Sequence, residues 1–113
     1  MLQRARILRE YTPQYADPLC VAAGEKLVVG PEDAEFPGWK WCRASDGREG
    51  WVPIELLSGQ GREAFVLDDY SARELAVGCG EEVNIEEARH EWLLVRNEAG
   101  ERGWIPASHA EQL

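Results

Sequence analysis

Gly50-Trp51-Val52-Pro53-Ile54-Glu55-Leu56 and Gly103-Trp104-Ile105-Pro106-Ala107-Ser108-His109 are two copies of one pattern, and their surroundings repeat with them. Each is preceded by a tryptophan that opens a strand-like run, Trp39-Lys40-Trp41-Cys42-Arg43-Ala44 in the first half and Trp92-Leu93-Leu94-Val95-Arg96-Asn97 in the second. Fourteen positions separate that tryptophan from the proline in both halves. The spacing reads as one β-hairpin built twice. Its turns are Ser45-Asp46-Gly47 and Glu98-Ala99-Gly100, with glycine where a type I turn plus G1 bulge needs left-handed backbone. Such a turn sets the register. It places Cys42 opposite Gly50, Lys40 opposite Val52 and Trp41 opposite Trp51, and then Val95 opposite Gly103, Leu93 opposite Ile105 and Leu94 opposite Trp104. Side chains alternate between faces, so Cys42, Val52, Val95 and Ile105 share the core side while Trp41, Trp51, Leu94 and Trp104 point the other way.

The repeat extends upstream. Gly24-Glu25 corresponds to Gly80-Glu81, and Ile7-Leu8-Arg9-Glu10-Tyr11 to Val66-Leu67-Asp68-Asp69-Tyr70. Internal repetition at this period indicates two units of about 50 residues. Units so small bury only about 60% of their unfolded surface, so each gains by packing on a neighbour. Thr12 to Ala23 reads as a loop, Glu25 to Val29 as a short strand and Gly30 to Gly38 as a second loop broken by Pro31 and Pro37. Each proline of the repeated stretch is followed by a single 3₁₀ turn, Ile54-Glu55-Leu56 or Ala107-Ser108-His109, and a last brief strand. Ser58-Gly59-Gln60-Gly61 joins the units and is too short to let them roam.

The 113 residues carry a formal net charge of −9, unevenly shared. Residues 1–57 hold seven Lys/Arg against nine Asp/Glu, and residues 58–113 five against twelve. That surface repels phosphate backbones and acidic leaflets, which argues against nucleic acid and membrane as partners. It favours basic partners, and the charge also serves solubility. Three cysteines without paired spacing make no disulfide framework, and Cys42 reads as a small buried hydrophobe. The start of the chain lacks the apolar run of a signal peptide, so a reducing cytoplasm is the expected location.

In order and twice over, these residues resemble the Src homology 3 (SH3) family. Its ALYDY motif matches Val66–Tyr70 and, more loosely, Ile7–Tyr11. Its glycine-acid pair matches Gly24-Glu25 and Gly80-Glu81, its ligand tryptophan matches Trp39 and Trp92, and its Gly-aromatic-aliphatic-Pro matches the two opening stretches. The resemblance implies an all-β chain of two tandem five-stranded SH3-like β-barrels, residues 1–57 and 62–113, joined by a linker at 58–61. It also implies recognition of a polyproline II segment on an aromatic groove, with an acid pairing to a basic ligand residue. Carried over by position, the first groove would use Tyr11, Trp39, Trp51 and Pro53 with Asp17 as its acid. The second would use Tyr70, Trp92, Trp104 and Pro106 with Glu74. The family's first motif tyrosine is replaced by Arg9 and Asp68, and its closing tyrosine by Leu56 and His109, residues that cannot form the usual proline slots.

The expected function is therefore a non-catalytic interaction module for a proline-containing or basic protein segment. A structural role is the first alternative, in which Trp41 and Leu94, with their outward partners, meet the other repeat or a second copy in a homo-oligomer. A cell-wall ligand-binding role is the other. No Ser/His/Asp or Cys/His grouping and no phosphate-cradling loop is present, so no enzyme is expected. Neither is a cofactor, and His90, His109 and Cys79 have no metal-ligand spacing.

Overall fold

In the computed structural model, which describes residues 3–59 and 61–113, both hairpins take the register that their turns dictate. Cys42 faces Gly50, Lys40 faces Val52 and Trp41 faces Trp51. Val95 faces Gly103, Leu93 faces Ile105 and Leu94 faces Trp104. Gly47 and Gly100 sit at φ of 89° and 85°, and each turn closes when Ala44 N–H donates to the Arg48 carbonyl at 2.9 Å or Asn97 N–H to Glu101 at 2.9 Å. Met1 and Leu2 of the expected first domain, and Gln60 of the expected linker, lie outside the described residues.

Among the described residues the chain is all-β, without α-helix. It forms β1 (Gln3–Ile7), β2 (Cys20–Val21), β3 (Lys26–Glu32), β4 (Trp39–Arg43), β5 (Glu49–Pro53) and β6 (Leu57–Ser58). There follow β7 (Glu63–Val66), β8 (Tyr70–Ser71), β9 (Glu82–Arg89), β10 (Trp92–Arg96), β11 (Arg102–Pro106) and β12 (Ala110–Gln112). The expected 3₁₀ turns stand at Ile54–Leu56 and Ala107–His109. Strand β3 is longer than expected. It continues through Gly30-Pro31 because a bulge between Val29 and Glu32 breaks the ladder there, and a bulged position does not need the N–H that proline lacks.

The strands divide between two compact units, one of Met1–Gln14 with Arg73–Leu113 and one of Tyr15–Ala72. This differs from the expected cut at 58–61. The cause is strand pairing: β1 joins β9 and β12, from the second half of the sequence, while β7 joins β3 and β6, from the first. The halves have exchanged first strands. The resulting sheets run β11-β10-β9-β1-β12 and β5-β4-β3-β7-β6, one spatial order used twice. Neither closes into the expected barrel. Among the described residues, only the two-residue ribbon β2-β8 and single bridges at Tyr11–Val77 and Glu74–Trp104 run around them, too short to carry a ladder from one sheet edge to the other.

The exchange is buried in each core. In the first unit Ala5 and Ile7 pack with Leu75, Val77, Val83, Val95 and Ile105, and full burial of an isoleucine such as Ile7 is worth about 1.5–3 kcal/mol. In the second, Ala64 and Val66 are buried along with Leu27, Cys42 and Val52. Burial pushes the Cys42 thiol up to about 11, which leaves it protonated and unreactive.

On the first unit's outer face Glu86 ties three strands together. Its carboxylate accepts from Arg96 Nε of β10 at 2.8 Å and from Arg102 Nε of β11. The Arg96 hydrogen bond, then that from Arg102, holds this carboxyl below its ordinary range. A depressed acid stabilises the fold above its unfolded-state pKa, and the contribution is lost as pH falls through the folded value. Glu86→Gln is therefore expected to cost about 1 kcal/mol at neutral pH. Melting temperature followed from about pH 5 to about pH 3 should fall less steeply in the variant than in wild type; parallel curves would contradict this.

Candidate functional site

Strand exchange redistributes the aromatic residues. Tyr11 lies in the first unit, edge-on to Trp92 with ring centroids 5.8 Å apart and planes at 84°. It is likewise edge-on to His109, at 5.5 Å and 90°. Its hydroxyl donates to Glu74 Oε1 at 2.8 Å, and the same oxygen accepts from Gln14 N–H at 3.0 Å. Pro106 faces Trp92 across the hairpin. The expected pairing of Tyr11 with Trp39 is thus replaced by Tyr11 with Trp92.

Tyr70 shows the converse. It belongs to the second unit, is nearly buried, and donates its hydroxyl to the Trp51 carbonyl at 2.7 Å. Its expected companions Trp92, Trp104 and Pro106 are in the other unit. Asp17 is also in the second unit, on the surface and 3.5 Å from Arg48, whose Nε holds Asp46 more closely at 3.0 Å.

The two ligand-position tryptophans differ. Trp39 is 4% exposed whereas Trp92 is half-buried. The connections that precede them differ in kind. Residues 33–38 lead into Trp39, and the Asp33 N–H donates to the Trp39 carbonyl at 2.8 Å. Only His90 and Glu91 lead into Trp92, and both are left-handed, with φ of 45° and 70°. This is the geometry of a type I′ hairpin turn, built without its usual asparagine or glycine at a cost of about 1–2 kcal/mol per residue. The Ala107 N–H, donating to the Glu91 carbonyl at 2.9 Å, holds it in place.

The outward pairs also part company. Trp104 is 4% exposed because Arg73–Leu75 lies along β11: Trp104 N–H donates to the Arg73 carbonyl at 2.9 Å and Leu75 N–H to the Trp104 carbonyl at 3.1 Å. That closeness explains the preceding glycine, since a Cβ on Gly103 would stand 2.8 Å from Leu75 N and 2.9 Å from Glu74 C. Its partner Leu94 is half-buried. In the second unit Trp41 and Trp51 pack against each other, 5.0 Å apart at 73°, and Tyr15 lies 5.1 Å from Trp41. Pro53, opposite Trp39, is buried.

Sequence reasoning did not select Tyr15 or His109 as surface-forming residues. His109 had a signal, since it stands where the resemblance places a tyrosine. It fills that place with its ring against Tyr11 and Nδ1 3.1 Å from the Glu10 carbonyl, which can only accept, so Nδ1 carries the proton.

These contacts lead to a double-mutant test. Tyr11→Ala and Trp92→Ala should couple by about 1 kcal/mol in denaturant unfolding, whereas Tyr11→Ala and Trp39→Ala should add to within about 0.3 kcal/mol. The reverse pattern would place Tyr11 in the other unit.

No helix among the described residues is long and apolar enough to cross a membrane. No curated protein and no solved structure matches the chain. A family model described as the variant SH3 domain matches residues 4–60, running from β1 through the first hairpin and its 3₁₀ turn. That span covers just over half of the 113 residues, and the chain belongs to the variant SH3 domain family.

Proposed function

We propose that the protein is a non-catalytic interaction module made of two SH3-like repeats, residues 1–57 and 62–113 joined at 58–61, that binds a segment of another protein. The observation that carries the reading is the first unit's half-buried Trp92, with Tyr11 edge-on to it, Pro106 across from it and Glu74 at the Tyr11 hydroxyl. Aromatic side chains held by packing on rigid strands make effective anchors for a partner. Glu74 adds a carboxylate suited to a basic residue of that partner, and the net charge of −9 favours basic ligands generally. With His109 in the place of the usual tyrosine, the surface is a shallow aromatic-acid face, and the ligand class is a basic protein segment in which proline is optional. The reading includes a cytoplasmic location, supported by three free cysteines of which Cys20 and Cys79 are exposed.

The second unit favours a structural part in the same protein. Trp39 is buried, and Tyr70 donates its hydroxyl to the Trp51 carbonyl. Its ligand-position tryptophan is used from within, while Trp41 and Trp51 stay half-buried against each other.

A peptide array probed with wild type, Trp92→Ala and Trp39→Ala separates the roles. Trp92→Ala should weaken binding of selected peptides by tenfold or more, about 1.4 kcal/mol, while remaining folded. Trp39→Ala should lower stability by about 3–5 kcal/mol, as expected for a core tryptophan. Undiminished binding by a folded Trp92→Ala protein would rule out this surface.

A further inference from the structure

The outward faces of the two exchanged ladders carry the same ion pair with its charges reversed. In the first unit Arg4 and Arg6 of β1 flank buried Ala5, and both guanidinium groups reach Glu82 of β9, at 3.1 and 3.5 Å. Ala5 faces Val83 there, and in the second unit Ala64 faces Leu27. Matching these buried pairs sets Glu63 in the place of Arg4 and Lys26 in the place of Glu82. Lys26 Nζ is 3.1 Å from Glu63 Oε2.

We infer that this charge pattern selects which first strand each sheet accepts. Apolar alternation does not discriminate, since Ala5 and Ile7 present the same inward pattern as Ala64 and Val66. The outward residues do. If each half kept its own first strand in the same register, Arg6 would face Lys26 with Arg4 on the adjacent diagonal, and Glu63 would lie diagonal to Glu82. Both sheets would then set like charges against each other. Exchange turns each conflict into an attraction, and cross-strand pairs of opposite charge stabilise a ladder where like charges oppose it. Each pair is exposed and individually weak, but attraction in one topology and repulsion in the other act together, as in partner selection between separate proteins. The mutual ligands here are two segments of one chain.

The test inverts the acceptors. The full chain carrying Lys26→Glu and Glu82→Lys is refolded from guanidinium at low salt, so that topology is chosen anew, and methyl NOEs report the choice. Wild type should show Ala5 to Val83 and Leu27 to Ala64. The inverted chain should gain Ala5 to Leu27 and Ala64 to Val83, with the ratio of the two sets moved by about tenfold or more. Inverting the donors as well, with Arg4→Glu, Arg6→Glu and Glu63→Lys, should restore the wild-type set. Retention of the wild-type set alone in the acceptor-inverted chain would overturn the inference. If that chain fails to fold, the fully inverted chain decides: recovery of the wild-type contacts supports charge selection, and failure to recover them refutes it.

Discussion

Ala5 lies against Val83 and not against Leu27, and the rest of the structure depends on that ladder. A five-stranded sheet in this protein consists of a hairpin, a longer strand, a first strand and a short last strand, and the first strand always comes from the other half of the sequence. Neither half can therefore complete its own sheet in this arrangement. Units of this size are marginal by themselves because little surface is buried. Removing β1 exposes Ala5 and Ile7 together with the Val83, Val95 and Ile105 side chains they cover. The chain passes between the units at residues 14–15 and 72–73, so each half of the sequence depends on the other for both folding and surface.

The same ladder decides which aromatic residues meet. By moving with β1, Tyr11 arrives beside Trp92, His109 and Glu74. Tyr70, moving with β7, reaches the Trp51 carbonyl. Two similar sequence patterns thus yield unlike surfaces. One unit keeps a half-buried indole behind a strained two-residue turn; the other buries its indole. Strain at such a turn persists only where surrounding contacts hold it, and it is often found beside functional residues.

Both hairpins were legible in the sequence because a three-residue turn with glycine admits one register and period-two alternation then assigns every face. The buried set Cys42, Val52, Val95 and Ile105 followed from that alone. The exchange was not legible in the apolar pattern, because a strand reading of Ile7–Tyr11 or Val66–Tyr70 fits either sheet equally. Its signal lay in Arg4, Arg6 and Glu63, whose meaning depends on which acceptor they face. The membership of each aromatic cluster was misassigned for that reason. Likewise the burial of Trp39 and the half-exposure of Trp92 arise in connections of different length, Asp33–Gly38 and His90-Glu91, whose effect on a neighbouring indole no periodicity encodes.

The most direct test of strand exchange is to cut the chain without disturbing either sheet. A protease site placed in the sequence between Ser58 and Glu63, which links β6 to β7, allows the folded protein to be nicked there and then diluted to nanomolar concentration for native mass spectrometry. Exchange predicts that the two fragments remain together at the mass of the whole protein and separate only in denaturant. Two independently folded fragments released under native conditions would contradict it.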